Sequence, residues 1–151
     1  MSKKDQNYMP LAIEVAERAG ARNEVPVGAV IVQDGKLLVR AGNRVEVDND
    51  PTAHAEILAI RAAADMLNTP RLPDCDLYVT LEPCAMCAAA ISFARIRRLY
   101  FGAYDVKGGG VEHGSRFFGQ ATCHHAPEVY GGIAESDCGE LLKEFFQNLR
   151  D

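Results

Sequence analysis

Apolar positions along the first half of the chain change their period twice. From Asn7 to Ala19, the residues Leu11, Ala12, Val15, Ala16 and Ala19 recur on one helical face, and Gly20 supplies a stop. Val27 to Val32 is then a nearly continuous apolar run, the mark of a strand covered on both faces. Asp34-Gly35 is a tight-turn signal, and Lys36 to Ala41 returns as the second strand of a hairpin. Gly42 to Asp50 is polar loop. Asp50 and Pro51 suit an N-cap and a first helical position, so the crowded apolar pattern through Ile57, Leu58, Ile60 and Ala62 to Ala64 predicts a buried helix ending near Leu67. Asn68 to Asp74, with two prolines, is a connection. Leu77 to Leu81 predicts a short buried strand, EPCAMCAAAISFA an Ala-rich helix, and Ile96 to Phe101 another strand. KGGG at 107–110 opens an irregular region reaching about Pro127. Glu140 to Leu149 closes the chain as an amphipathic helix, with Leu141, Leu142, Phe145, Phe146 and Leu149 on its apolar face. A hairpin followed by alternating helices and strands predicts one α/β domain over residues 1–151, with a mixed sheet covered on both faces.

Composition narrows the function classes. The 151 residues are 48% hydrophobic, and no run is long enough to span a bilayer, which fits one soluble core and no membrane partner. Acids and amides interrupt the apolar positions of the first twenty residues, so a secretory segment is not expected and the cytoplasm is. Five cysteines, an odd number, read as free thiols or metal ligands in a reducing compartment rather than as a disulfide framework. A net charge of -5 argues against a general nucleic-acid coat. It leaves room for a local patch: Arg95, Arg97, Arg98, Lys107 and Arg116 share one segment with only Asp105 and Glu112. An ordinary solvated face is the plain alternative.

Two polar intrusions at helix starts carry the chemistry. In PTAHAEILAI, Glu56 near a helix N-terminus has an ordinary electrostatic explanation, but a protonated His54 has none. In Pro83-Cys84-Ala85-Met86-Cys87, thiols at i and i+3 lie on one helical face, and the helix N-terminus favours their thiolates. Alone, that pair could be a redox couple or half of a structural zinc site. Together with His54 it offers one nitrogen and two sulfurs, since parallel crossovers bring both helix starts to the carboxyl edge of the sheet. Three ligands leave a fourth tetrahedral position for water, the open arrangement of catalytic zinc, and Glu56 is placed to touch that water. Cys75, Cys123 and Cys138 read as ordinary thiols, and Cys123-His124-His125 as a weak second metal candidate. Phe117-Phe118 and Phe145-Phe146 could both stack on bases, with core or dimer packing the favoured reading of the second pair, and Met86 suits the core.

H-x-E followed by P-C-x-x-C is the established signature of zinc-dependent nucleobase deaminases. The chain further resembles the bacterial tRNA-specific adenosine deaminases in EVPVGAV (24–30), GNR (42–44), DPTAHAEI (50–57), LYVTLEPC (77–84) and FGA (101–103). Free-nucleoside cytidine deaminases usually begin the first motif with cysteine instead. The resemblance implies a cytidine-deaminase-like three-layer α/β/α sandwich with a mixed five-stranded sheet, one Zn2+ per subunit, and a homodimer. It implies hydrolysis of the wobble adenosine to inosine in the anticodon stem-loop of a tRNA, an arginine tRNA in the pattern of the family, with no DNA expected. Carried over singly, His54, Cys84 and Cys87 would hold the metal and Glu56 would be catalytic. Asn43 would hydrogen-bond the nucleotide, the backbone of Ala55 would form part of the base pocket, and Asp105 would contact the nucleotide backbone. Lys107, His124 and His125 would touch the anticodon loop. The segment 107–127 departs from better-known members in length and composition. Two rivals stand beside this reading. A deaminase of free guanine or cytosine would share the zinc chemistry without needing the basic segment, and a structural zinc module binding RNA would need a fourth protein ligand.

Overall fold

The computed structural model describes residues 7–150, without the side chain of Arg150; residues 1–6 and 151, the ends of the expected domain, lie outside the described residues. Four helices and five strands follow in the order α1 (Met9–Ala21), β1 (Gly28–Gln33), β2 (Lys36–Gly42), α2 (Ala55–Leu67), β3 (Cys75–Leu81), α3 (Ala85–Ala94), β4 (Arg98–Ala103), β5 (Glu128–Tyr130) and α4 (Glu135–Arg150). The sheet runs β2-β1-β3-β4-β5. β1 is antiparallel to both β2 and β3, while β3, β4 and β5 are parallel. The hairpin turns at Asp34 and Gly35, both at positive φ (50° and 73°), the twist that a two-residue turn needs to match its strands.

Alternation along the strands sorts side chains into two cores, one on each face. Ala29 and Ile31, Leu77 and Val79, Leu99 and Phe101 face Ala55, Ala59 and Ala63 of α2 and Ala88 and Ile91 of α3. Val30, Val32 and Tyr78 point the other way, onto Tyr8, Met9 and Ala12 at α1 and Cys138 of α4. This is why β1 shows no polar alternation: both of its faces are dry. The result is the expected three-layer sandwich on a mixed five-stranded sheet.

Several boundaries differ from the sequence expectation. The helix expected from Pro51 begins at Ala55, because the Asp50 carboxylate accepts from the Thr52 amide and hydroxyl (2.9 and 2.7 Å) and so closes a turn rather than capping a helix. The last helix begins five residues before Glu140, at Glu135. The residue pattern located only four of the five strands that the resemblance implies, and the fifth is β5, only three residues long. Met86 lies on the outer face of α3 rather than in the core, because Cys87, Ala88 and Ile91 take the inward positions.

Candidate functional site

β2 and β3 flank an antiparallel β1, so they run in one direction and end on the same edge of the sheet. The chain leaves each end and enters a helix there, α2 after β2 and α3 after β3. His54 and Cys84 are the residues just before those helices, both in extended backbone (φ -74°, ψ 150° and φ -71°, ψ 174°). Their carbonyls accept the amides of Leu58 (3.1 Å) and Ala88 (2.8 Å). Each is therefore an N-cap residue, with its side chain swung off the helix axis. The two helix starts thus present His54 and Cys84 to one another, and Cys87 joins them from the first turn of α3.

The His54 Nδ1 lies 3.7 Å from Cys84 Sγ and 3.4 Å from Cys87 Sγ. A tetrahedral zinc with bonds of about 2.3 Å to sulfur and about 2.0–2.1 Å to nitrogen requires N···S separations of about 3.5 Å. The donor set and its spacing fit zinc. Among the described residues this is the one group of three His, Cys, Asp or Glu side chains close enough to share an ion. Before metal binds, the hydrogen bond from Cys87, against burial and with help from the neighbouring His54, holds the Cys84 thiol down at about 4. Cys87, as donor, is raised, and His54 is raised by its bond to Cys84.

Glu56, the second residue of α2, is 4% exposed and stands outside the three-donor cluster, within hydrogen-bond reach of Cys87. Burial pushes its carboxyl up to about 7, against its own backbone amide and the charge of His54. A carboxyl poised near neutrality can both take and return a proton. Asn43, at the start of the loop after β2, accepts the Ala55 amide on Oδ1 at 2.8 Å. It thereby satisfies the first orphan donor of α2 from outside the helix and keeps its own N–H groups for the cavity beside it.

That cavity, of about 590 Å³, is lined by Asn43, His54, Glu56, Cys84 and Asp105 together with α4. It is within the range of small-molecule sites, about 300–1,000 Å³. The other expected contacts are not gathered here. Ala55 is fully buried, its amide committed to Asn43. Lys107 is exposed on the loop after Asp105, and His124 lines a separate, smaller concavity with Arg71 and Arg95. The His125 ring is within 2.9 Å of the Ile96 carbonyl. The basic segment is partly neutralised: Arg97 pairs with Asp76 (3.0 Å) and Arg98 with Glu128 (3.1 Å). Phe117 and Phe118 meet edge-to-face and pack, partly buried, against the main core.

Sequence reasoning missed two features. Phe145, Phe146 and Leu149 of α4 line the cavity, although packing was the favoured reading of that apolar face over contact with a base. Two buried carboxylates also escaped it. Glu24 accepts the amides of Glu46 (3.1 Å) and Val47 (3.0 Å), tying down the loop after Asn43. Glu82 stands directly before Pro83-Cys84 and accepts from the loop after β4. A carboxylate ending an apolar strand was the available signal.

The comparisons agree with this geometry. Residues 2–103 match the cytidine and deoxycytidylate deaminase zinc-binding region. A protein of Agrobacterium fabrum named tRNA-specific adenosine deaminase is 62% identical over 144 residues, 95% of either chain. A structure solved in a study of A-to-I editing by tRNA:A34 deaminases at the wobble position of transfer RNA is 64% identical, with a TM-score of 0.88 over 89% of this chain and 98% of that one. A guanine deaminase from Nitrosomonas europaea is more distant, 25% identical with a TM-score of 0.79 over 91% and 81%. The chain belongs to the tRNA-specific adenosine deaminases, within the family that carries the cytidine and deoxycytidylate deaminase zinc-binding region.

Proposed function

We propose that the protein hydrolyses an adenosine to inosine at the wobble position of a tRNA anticodon. The observation that carries the reading is the His54, Cys84 and Cys87 cluster beside the buried Glu56, with His54, Glu56 and Cys84 lining a cavity of about 590 Å³. His54, Cys84 and Cys87 would hold a zinc ion, which would supply Lewis-acid polarisation and lower the pKa of a water towards about 7. Glu56 accepts the proton released on attack at C6 and passes protons to the ring and to the departing ammonia. Its burial keeps bulk water from competing for them. Asn43 donates to the nucleotide through the amide nitrogen that Ala55 does not use. Asp105 closes one wall, and Phe145 and Phe146 close another.

A base stacked in a duplex cannot enter such a cavity, so the substrate nucleotide is a splayed loop residue. Lys107 and Arg116, both exposed, are the basic side chains best placed to meet phosphates on the loop after Asp105. His124 and His125 contact the anticodon loop in this reading, and an arginine tRNA is the substrate; both points rest on family resemblance. A second copy covers the outer face of α3, where Met86 and Phe93 (36% and 73% exposed) leave an apolar helix open to water. The cytoplasm is the compartment, consistent with five cysteines outside any disulfide.

The test is to incubate the zinc-loaded protein with an anticodon stem-loop carrying a wobble adenosine, and separately with adenosine, guanine and cytosine. Inosine in the stem-loop alone is expected. Turnover of guanine without turnover of the stem-loop would favour a small-base deaminase instead.

A further inference from the structure

Glu82, at the end of β3, has a side chain fully shielded from solvent and five donors directed at it. Its Oε1 accepts from the Asp105 amide at 3.0 Å and lies 2.8 Å from the His113 ring Nδ1. Its Oε2 accepts from the amides of Val111 (3.2 Å), Glu112 (2.9 Å) and His113 (3.1 Å). Every one of these donors belongs to a single segment, 105–113. That segment leaves β4, passes the cavity wall at Asp105, carries Lys107, and folds back over the start of α3.

The segment is shaped to reach the carboxylate. A Cβ at Gly109 would overlap Glu82 Oε2 and the Asp105 carbonyl. One at Gly110 would come within 2.5 Å of the Ala85 nitrogen, while the Gly110 amide donates to the Pro83 carbonyl at 2.8 Å. The remaining bonds of residues 105–110 run within the segment or to the residues that follow it: Gly109 to the Asp105 carbonyl (2.9 Å), Gly108 to the Asp105 carboxylate (2.9 Å) and Phe117 to the Gly110 carbonyl (2.8 Å). Val111 anchors the far end of the segment in the main core; apart from the Gly110–Pro83 bond, the carboxylate is the hydrogen-bond tie between this loop and the end of β3.

We infer that Glu82 is a positioning residue for RNA recognition, holding the 105–113 wall so that Asp105 and Lys107 meet the substrate already ordered. A loop fixed before binding loses little freedom on binding, and that saving appears in affinity rather than in the chemical step. The inference rests on the proposed RNA contacts of Asp105 and Lys107.

Steady-state kinetics on the wobble-adenosine stem-loop test it, using zinc-loaded wild type, Glu82→Gln, Gly109→Ala, their double variant and Asp105→Ala. Glutamine keeps the size of the side chain but turns an NH2 toward donors that need an acceptor. Glu82→Gln should keep one zinc per chain, raise KM at least about tenfold, and leave kcat within about threefold. Gly109→Ala pushes the loop away from the other side and should give the same KM-led pattern. The double variant should be no worse than the weaker single one, because both release the same loop. An unchanged KM in Glu82→Gln, or a loss of zinc with a fall in kcat, overturns the inference. If Glu82→Gln does not fold, Gly109→Ala decides by the same KM-against-kcat criterion. An unchanged KM in Asp105→Ala overturns instead the RNA contact on which the inference rests.

Discussion

Replacing Asn43 probes the way the site is assembled, because this one side chain does two jobs. Its Oδ1 takes the Ala55 amide at 2.8 Å in a buried setting, and its amide nitrogen is the proposed donor to the nucleotide. Asn43→Ala orphans the first amide of α2. Ala55 is fully buried behind that side chain, so its amide loses the protein partner it has in the wild type. An unsatisfied buried donor costs about 1–3 kcal/mol. At about 2–4 °C per kcal/mol for a chain of this size, the zinc-loaded protein should melt roughly 2–12 °C lower. Asn43→Asp separates the two jobs. It keeps the acceptor and places a negative charge at a helix start, where it is favoured. Arg22, which donates to the Asn43 carbonyl at 3.2 Å, adds a nearby cation. Asn43→Asp should therefore melt close to wild type yet raise KM for the stem-loop, while Asn43→Ala fails in both assays. Wild-type melting of Asn43→Ala, or equal destabilisation of the two variants, would refute the reasoning.

Cys87→Ala should bind markedly less zinc than wild type by metal analysis; undiminished zinc would remove Cys87 from the ligand set. Lys107→Ala and Arg116→Ala should weaken stem-loop binding and flatten its log–log salt dependence by about one unit per lost phosphate contact, with zinc unaffected. Unchanged slopes in both would make them ordinary surface charges. Burial pushes the Cys75 and Cys138 thiols up to about 11. The unfolded chain loses these protons near pH 8.5–9 and the folded one near 11, so their stabilisation is complete below about pH 8.5 and is lost as pH rises to 11. Urea melts from pH 8 to 11 should fall more steeply for wild type than for Cys75→Ala or Cys138→Ala, and parallel curves would contradict the burial argument.

Much of this was legible in the sequence wherever one local rule decided the outcome. The dry faces of β1, the Asp34-Gly35 turn and the gathering of His54, Cys84 and Cys87 all follow from period, turn chemistry and crossover direction. The start of α2 did not, because Asp50 is as good an Asx-turn acceptor as an N-cap, and the true partner of the first amide is Asn43, twelve residues earlier. β5 is three residues of an edge strand, too short to leave a pattern. The loop contacts of Glu82 depend on three-dimensional closure over about thirty residues. The partners within the basic segment were hidden for the same reason: Arg97 and Arg98 flank a strand in the sequence, but only the fold brings Asp76 and Glu128 beside them on neighbouring strands.

The central claim is a division of labour, with His54, Cys84 and Cys87 holding the metal and Glu56 moving the protons. Zinc content and single-turnover inosine formation, measured on one preparation of Glu56→Gln, test it most directly. Loss of a general acid–base group costs about 10²–10⁴-fold, and a residue that carries several protons should lie at or above the top of that range. The account predicts about one zinc per chain, a melting temperature near that of wild type, and inosine formation slowed by about 10⁴-fold or more. Near-normal turnover by Glu56→Gln with zinc in place, or loss of the zinc itself, would contradict it.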